Sequence, residues 1–330
     1  MNARAVLGRV LRSRESGIAL VLLVVVAITT WRNPAFLFSA DGFRDLLLTP
    51  SILLVVALGQ GLVILTRNVD LSVGSVVGLT AYLVGTLFQL GLPIPVVVVA
   101  GCLAGALLGL VNGMLVAFGR VPSMVITLGT LYAYRGINVW WTGSDRIDAS
   151  ELPPAFLRLG TQQILGIPVL TIIAVVALAA VAWYLHNTRG GRECYAIGSA
   201  PDAAILYGLD VRRRVLVAFA FSGLMAGLAG VLFAARYGTI NSQAGDGFEL
   251  EAVGAAVIGG VAITGGVGTI AGAALGAVLL VTINRALPVL GIPDFWQRAV
   301  VGVLILGAIV MDRVLAVREH RRRIEKRAAS

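Results

Sequence analysis

The sequence predicts an all-α membrane protein, a polytopic bundle of about ten transmembrane helices. The first observation is composition: the 330 residues are 58% hydrophobic and 13% charged, with a mean hydropathy of +0.91. Soluble domains are typically about 25% charged. The second observation is a series of apolar runs close to the ~20 residues that a helix needs to cross a bilayer. Little sequence lies outside these runs, so residues 1–330 are expected to form a single membrane domain.

Polar or glycine-rich breaks separate the apolar runs, and each run predicts one span. In chain order the predicted spans are 17–31, 46–66, 71–89, 93–118, 121–141, 164–186, 215–236, 250–264, 268–287 and 295–311. The eighth run is short and is followed by Gly265 and Gly266, so it fits either a full span or a broken, re-entrant segment. Irregular backbone at membrane depth is tolerated only where protein buries it or where it lines a water-filled cavity.

The distribution of charge predicts the orientation. The net charge is +9, and basic residues cluster where they flank apolar runs, at 4–14, 189–192, 212–214 and 313–327. Loops rich in Lys and Arg face the cytoplasm. Ten spans place both termini, the 187–214 loop and the basic tail 313–330 on that side. Because the charge flanks spans rather than covering a folded face, nucleic-acid binding is not expected.

The residues required for several kinds of catalysis are missing from the sequence. Its only lysine is Lys326, so the GxxxxGK[ST] phosphate-binding loop cannot form and ATP hydrolysis by that route needs a partner chain. His186 and His320 are the only histidines, which excludes an HExxH zinc site. Cys102 and Cys194 form no CxxC pair. We therefore expect a protein that is not an enzyme, with no cofactor and no metal.

Glycine at four-residue spacing predicts helices that pack at backbone contact, because such residues stack on one helix face. The glycines predicted to pack in this way are Gly101, Gly105, Gly109, Gly113, Gly268, Gly272 and Gly276. Asn112 lies near the first of these faces and is expected to hydrogen-bond to another helix. Arg135, within the fifth span, is expected to extend its side chain towards the membrane surface.

A weak internal repeat relates two parts of the chain. At one constant offset, Gly61, Val63, Thr66, Val69, Gly74 and Gly78 align with Gly259, Val261, Thr264, Val267, Gly272 and Gly276. On the predicted topology both copies enter from the outside, which makes this a parallel repeat of the kind that transporters carry. The alternative is a chance alignment of apolar sequence.

Polar residues at the breaks between spans are candidates for lining a translocation path: Asn68, Asp70, Ser72, Asn241, Ser242 and Gln243. Each also fits a cap, a helix–helix hydrogen bond or a loop position. Asp70 fits either the N-cap of the following helix or a polar group of the path. Few charges interrupt the spans, which disfavours a proton- or sodium-driven carrier.

Four segments resemble one transporter family when taken as a set. They are L-T-R-N-V-D-L-S-V-G-S at 65–75, N-G-M-L-V-A-F-G-R-V-P-S-M-V-I-T-L-G-T-L-Y-A-Y-R-G-I at 112–137, G-R-E-C-Y-A-I-G-S-A-P-D-A-A-I-L-Y-G-L-D-V at 191–211, and E-A-V-G-A-A-V-I-G-G-V-A-I-T-G-G-V-G-T-I-A-G-A-A-L-G at 251–276. Over nearly the whole chain they are similar to the sugar-type permease subunits of bacterial ABC importers, such as the ribose, xylose, arabinose, rhamnose and autoinducer-2 permeases. The R-N-V-D at 67–70, W-T-G at 141–143 and I-P-D-F-W-Q at 292–297 look closest to the rhamnose and autoinducer-2 branch.

The resemblance implies an ABC importer permease in the bacterial inner membrane that carries a monosaccharide or related small polar solute. It implies three kinds of protein partner: a second permease copy, identical or related, a cytoplasmic ABC ATPase, and an extracytoplasmic substrate-binding protein. Residues 245–249, at the predicted outer mouth, are candidates for contact with the binding protein.

The resemblance also implies a role for the 187–214 loop. Segment 191–211 is similar to the family's cytoplasmic coupling region, which docks on the ATPase. That role carries over to Arg192, Tyr195, Gly198, Asp202, Tyr207 and Gly208. The alternatives are an ordinary solvated loop at this place, and a sugar facilitator or secondary carrier that works without an ATPase and needs no docking helix.

Overall fold

The computed structural model describes residues 14–310 apart from 120, 298, 305, 308 and 309. The predicted basic tail 313–330 and all but the last residue of the basic cluster 4–14 lie outside the described residues. The helices are α1 (Arg14–Arg32), α2 (Ala35–Phe38), α3 (Ala40–Leu48), α4 (Pro50–Leu65), α5 (Val73–Gln89), α6 (Ile94–Gly119), α7 (Ser123–Thr142), α8 (Pro154–Thr161), α9 (Val169–Asn187), α10 (Arg189–Ser199), α11 (Pro201–Leu206), α12 (Val211–Tyr237), α13 (Phe248–Ile258) and α14 (Ile270–Val289).

Short elements complete the described chain. Two 3-10 turns cover Ala149–Glu151 and Asp294–Trp296. An antiparallel hairpin pairs β1 (Gln163–Ile164) with β2 (Ile167–Pro168), with Gln163 opposite Pro168. Helical residues continue from 297 to 310 around the positions that are not described.

Among the described residues, 6 helices are long and apolar enough to cross a membrane. They are α1, the continuous α3–α4 unit Ala40–Leu65, α6, α9, α12 and α14. α5 is apolar but has 17 residues. These helices make an all-α membrane protein, but they do not establish a count of ten spans.

The predicted eighth span, 250–264, is not one continuous helix. α13 has 11 residues, which at 1.5 Å per residue is about 16 Å, roughly half of a ~30 Å hydrocarbon core. The chain then runs through an irregular segment, 259–269. Gly265 and Gly266 have φ angles of 80° and 72°, a left-handed backbone that glycine adopts without steric cost. The helix itself ends at Gly259 and Gly260, within the apolar run, and Gly260 has a φ of 87°.

α4 is the central helix of the bundle. All of its 16 residues are buried, and it packs against α9, α12, α13 and α14. A helix that is apolar on every side belongs in a protein or membrane interior. Pro50 stands in its first turn, where a missing backbone N–H costs nothing.

α12 defines two ends of the bundle. It has 27 residues and is therefore about 40 Å long. Its first turns adjoin α10 and α11, and we call this the 187–214 end. Its last residue precedes the loop 238–247, which is tied to the chain after α7 by two backbone hydrogen bonds of 2.9 Å between Ile147 and Ile240. We call this the 238–247 end.

Glycines bring α6 and α12 into backbone contact. A Cβ atom added at Gly105 would lie 2.6 Å from the Cα of Gly227, and one at Gly109 would lie 2.8 Å from the Cα of Gly223. Real Cβ atoms do not approach other atoms so closely. The seam continues at Gly101 and Gly113, which face Val231 and Leu216 respectively. The facing surface of α12 also carries two glycines four residues apart, Gly223 and Gly227. These two were not among the glycines predicted to pack.

The second predicted glycine face is shorter than expected. Gly272 and Gly276 lie on α14, where an added Cβ would overlap the carbonyl oxygens of Gly259 and Ala255 respectively. Gly268 lies before the helix begins, with a φ of 134°. It therefore belongs to the irregular segment rather than to a helical face, because α14 starts only after its N-cap residue Thr269.

We predict that Gly109→Val prevents the normal approach of α6 and α12. Valine would overlap backbone atoms that cannot move aside, at a cost of about 3 kcal/mol or more. The matched control is Gly129→Val, since Gly129 lies within α7 with nothing within 4 Å of its added Cβ. Thermal unfolding of the detergent-purified protein measures the effect. Equal melting temperatures for the two variants would contradict the packing account.

Candidate translocation site and coupling region

The chain between α4 and α5, residues 66–72, is irregular backbone inside the bundle. Two hydroxyl groups of α7 hold it at Val69. The Val69 N–H donates to Ser123 Oγ at 3.1 Å, and Thr127 Oγ1 donates to the Val69 carbonyl at 3.1 Å. Buried backbone groups need partners of this kind. The segment therefore closes against the first turns of α7.

Asp70 is a buried carboxylate that accepts three hydrogen bonds. It is 1% exposed. Its Oδ1 accepts from the Ser72 N–H at 3.0 Å and from Ser72 Oγ at 2.7 Å, and its Oδ2 accepts from Ser222 Oγ at 3.2 Å. With its amide oriented to satisfy both groups, Gln60 donates to the Asp70 carbonyl at 3.0 Å and accepts from the Asp70 N–H at 3.3 Å. Ser72 occupies the N-cap position of α5, so Asp70 is not the cap of that helix.

The hydrogen-bond network around Asp70 reaches two more helices. Asn112 on α6 donates from Nδ2 to Ser72 Oγ at 2.6 Å, which confirms the expected interhelical hydrogen bond of Asn112. Tyr134 on α7 donates to Asn112 Oδ1 at 3.3 Å and to the Leu108 carbonyl at 3.1 Å. Polar groups inside a membrane bundle are costly and are generally retained for function. This network joins α4, α5, α6, α7 and α12 at one level of the bundle.

Two clefts lie along α7. The first has a volume of about 550 Å³ and is lined by Leu71, Leu128, Leu131, Tyr132, Arg135, Val139, Ser242, Gln243, Asp246, Glu249 and Leu250. The second, of about 440 Å³, is lined by Thr66, Arg67, Asn68, Val69, Val116, Ala117, Val121, Pro122, Ser123, Met124, Ile197, Pro201, Val211, Arg212, Val215 and Ile263. The first includes residues beyond the end of α12 and the second includes its first residues, so the two clefts open towards opposite ends of the bundle.

The predicted path residues divide among three places. Ser242 and Gln243 line the first cleft, and Asn68 lines the second. Asp70 and Ser72 are buried in the hydrogen-bond network and lie among the lining residues of neither cleft. Asn241 is exposed in the loop, where its Oδ1 accepts from the Gln243 N–H at 3.0 Å.

Arg135 extends its side chain towards the loop 238–247 at one end of the bundle. Its Nη1 donates to the carbonyls of Ser242 and Ala244 at 3.3 and 2.8 Å, and the side chain lines the first cleft beside Asp246 and Glu249. The carbonyls of the loop satisfy the guanidinium better than lipid can. None of these three charged residues was among the predicted path residues. The position of Arg135 within an apolar run could have identified it as a path residue, because charges at membrane depth face protein or water.

α10 packs against the last residue of α4 and against the irregular segment 259–269 at the 187–214 end. A Cβ atom at Gly198 would overlap the carbonyl oxygen of Leu65 and lie 3.0 Å from the Cα of Gly266. The Gly266 N–H also donates to the Leu65 carbonyl at 3.0 Å. The two irregular segments touch each other where a Cβ atom at Gly265 would lie 2.9 Å from the backbone nitrogen of Arg67. Tyr195 Oη donates to the Gly268 carbonyl at 3.1 Å. The proposed internal repeat aligns Thr66 and Val69 of one segment with Thr264 and Val267 of the other.

The remaining predicted coupling residues lie on the surface of the same end. Arg192 and Asp202 are exposed. Gly208 ends α11 with a φ of 76°, and Tyr207 is 86% exposed. Ile205 and Leu206, which were not among the predicted coupling residues, are 60% and 87% exposed. With Tyr207 they make an apolar patch on α11, and exposed patches of this kind generally mark interaction sites.

An ion pair fixes α10 to the start of α12. Glu193 on α10 receives hydrogen bonds from Arg214 and from Arg189. The hydrogen bond from the Arg214 guanidinium holds the pKa of Glu193 below its ordinary value of 4.5. The carboxylate is therefore charged throughout the neutral range, and α10 keeps this attachment there.

Comparison with known proteins identifies the family. Residues 43–309 match the family described as "Branched-chain amino acid transport system / permease component". The chain belongs to this permease family. The resemblance to the sugar-type permease subunits of ABC importers is thereby confirmed, and the protein is a transport subunit of the membrane rather than an enzyme. No solved structure matches the chain.

Several relatives share one name. The autoinducer 2 import system permease protein LsrC of Enterobacter sp. (strain 638) is 38% identical over 317 residues, which cover 96% of this chain and 92% of the relative. The protein of that name from Escherichia coli O157:H7 is 38% identical over 300 residues, covering 91% and 87%. The one from Escherichia coli (strain K12 / DH10B) is 41% identical over 261 residues, covering 79% and 76%.

We predict that Glu193→Gln lowers the melting temperature by a constant amount from about pH 8 to about pH 6. Because the pKa of Glu193 is lowered in the folded state, its contribution is fully present above the ordinary value of 4.5 and is lost as the pH falls through the lower, folded value. The difference from the unmodified protein should therefore shrink only at more acidic pH. Thermal unfolding at a series of pH values measures it.

The control for this prediction removes both partners of the ion pair. A protein with Glu193→Gln and Arg214→Gln should show the same pH profile as Glu193→Gln alone. The melting-temperature difference between Glu193→Gln and the unmodified protein could instead grow as the pH falls below 6. That result would contradict a lowered pKa for Glu193, because a lowered pKa makes the difference shrink on acidification.

Proposed function

We propose that this permease carries autoinducer 2, or a closely similar small polyhydroxylated solute, into the bacterial cell, driven by ATPase subunits on separate chains. The relatives named above are import permeases for autoinducer 2 and align over most of their own length. The segments at 67–70, 141–143 and 292–297 also resemble that branch of the family. The sequence has no lysine placed to form a phosphate-binding loop, so the ATPase activity is assigned to a partner.

The proposed orientation puts the 187–214 end in the cytoplasm. Arginine clusters at 189–192 and 212–214 lie at this end, and the positive-inside rule supports a cytoplasmic position for them. The ten-span topology, with both termini cytoplasmic, remains our proposal. On this orientation the first cleft opens to the outside of the cell and the second cleft opens to the cytoplasm.

A second permease copy, identical or related, is proposed to enclose the first cleft. Arg135, Asp246 and Glu249 line this cleft, and charged groups at membrane depth face protein or water rather than lipid. Hydroxyl groups of a passing solute can donate to the carboxylates and accept from the guanidinium. Residues 245–249, beside the outer mouth of the cleft, are proposed to meet the substrate-binding protein.

The observation that carries the ATPase assignment is the apolar patch on α11. Ile205, Leu206 and Tyr207 are all at least 60% exposed on a two-turn helix that packs against α10 and α12. When a partner covers apolar side chains, the complex is stabilised by about 25 cal/mol for each Å² of apolar surface that is removed from water. A solvated loop or a carrier without an ATPase has no need of this arrangement.

We predict that Leu206→Glu abolishes the capture of an ATPase subunit by the tagged permease from native membranes. The charge would be buried in the interface without a partner, which costs several kcal/mol. The matched control is Leu165→Glu, because Leu165 is 99% exposed in the hairpin before α9, away from α10 and α11. Mass spectrometry of the captured proteins measures the effect.

Two outcomes of this experiment would contradict the proposal. One is capture of the ATPase by the Leu206→Glu protein at the level of the control. The other is capture of no ATPase by the unmodified protein, together with solute flux in reconstituted vesicles that lack ATP, which would favour a carrier.

A further inference from the structure

We propose that residues 69–71 form a septum that separates the first cleft from the second, and that Asp70 is the positioning residue that holds this septum in place. This inference rests on the proposed function only in taking the two clefts as the two halves of one path. The septum is defined by its position, since Val69 lines the second cleft and Leu71 lines the first.

The two clefts approach each other at the septum. α7 runs along both of them: Ser123 and Met124 line the second cleft, and Leu128 begins the first. Between these positions the Val69 backbone is bonded to Ser123 and Thr127, one helical turn apart. The septum therefore contacts α7 through hydrogen bonds between the Val69 backbone and two hydroxyl groups of α7, where the lining changes from the second cleft to the first.

Asp70 fixes the septum from its other side. Its side chain lines neither cleft and receives hydrogen bonds from Ser72 and Ser222, while Gln60 pairs with its backbone. Ser222 lies on α12 and Gln60 on α4, so the septum is fastened to the two helices at the centre of the bundle.

The septum is joined by a short stretch of chain to the coupling region. The Leu65 carbonyl accepts the Gly266 N–H and leaves no room for a side chain at Gly198 of α10. A displacement of α10 must therefore move the backbone at Leu65, four residues before Val69. Hydrogen bonds of moderate strength at Val69 and Asp70 can hold the septum closed while α10 stays in place, and they can break and re-form when α10 is displaced.

The test is the sidedness of thiol labelling in vesicles that contain the whole importer. Cys102 and Cys194 are first replaced by alanine, and then Asn68→Cys and Leu71→Cys are introduced singly. Asn68 lines the second cleft and Leu71 the first. A membrane-impermeant maleimide should label Leu71→Cys from the outside only and Asn68→Cys from the cytoplasmic side only. Labelling of both from the same side would overturn the septum.

The role of Asp70 is tested in the same vesicles. Asp70→Ala removes three acceptor contacts, so labelling of Asn68→Cys from the outside should become at least about tenfold faster. Asp70→Asn is the conservative rescue: its oxygen still accepts from Ser72, and its amide can donate to the Ser222 hydroxyl. The outside labelling rate should therefore return towards that of the unmodified septum.

A milder pair of variants keeps the test informative should Asp70→Ala fail to assemble. Ser222→Ala removes one donor to Asp70 and should raise the outside labelling of Asn68→Cys. Ser75→Ala removes a buried hydroxyl that donates to the Leu131 carbonyl instead and should not. Equal labelling rates for these two variants would overturn the positioning role of Asp70. Failure of ATPase capture would overturn the proposed function while leaving these labelling patterns interpretable.

Discussion

The structure depends on the hydrogen bonds that satisfy the irregular backbone of residues 66–72 inside a bundle of apolar helices. A membrane interior offers no water to unpaired backbone groups, so non-helical chain survives there only where protein supplies partners. Ser123 and Thr127 supply them at Val69, and Gln60 supplies them at Asp70. These polar side chains interrupt otherwise apolar helices. Their cost is offset because each one satisfies a group that would otherwise be buried without a partner.

Close packing by glycine is the second constraint. α6 meets α12 through Gly105, Gly109, Gly223 and Gly227, and α14 meets α13 through Gly272 and Gly276. Without an attraction between apolar surfaces in lipid, contact at backbone distance is one of the few ways to hold helices together. The glycine contacts also place Asn112, one residue from Gly113, within reach of Ser72. The packing and the polar network therefore depend on the same helix approach.

Much of the helical architecture was predictable because a membrane span needs a long apolar run, and the runs are visible in the sequence. The bounds of α6 and the glycine spacing of its seam follow from residues that are near one another in the chain. The environment of Asp70 was not predictable in this way, because its donor Ser222 lies on another helix far along the chain. The same reason explains Arg135, whose partners Ser242 and Ala244 belong to a distant loop. Gly268 was misplaced because spacing alone does not say where α14 begins.

The two irregular segments connect movement of α10 to the clefts. One contains the septum and the other follows α13. α10 contacts the second through Tyr195 and Gly198, and Gly198 also contacts Leu65 at the end of α4. An element that moves at the 187–214 end therefore contacts the backbone four residues before the septum. Coupling of this kind needs two arrangements of the same contacts, and a change of nucleotide on the proposed ATPase partner would select between them.

The most direct measurement is the distance between spin labels at Asn68 and Met124, which line the second cleft from the septum side and from α7 respectively. It is made by pulsed electron spin resonance on the assembled importer, without nucleotide and with a trapped ATP analogue. The account predicts two distance distributions that differ by several ångströms and exchange with the nucleotide state. A single distribution, identical in both states of a complex that transports its solute, would contradict the claim that α10 moves the septum against α7.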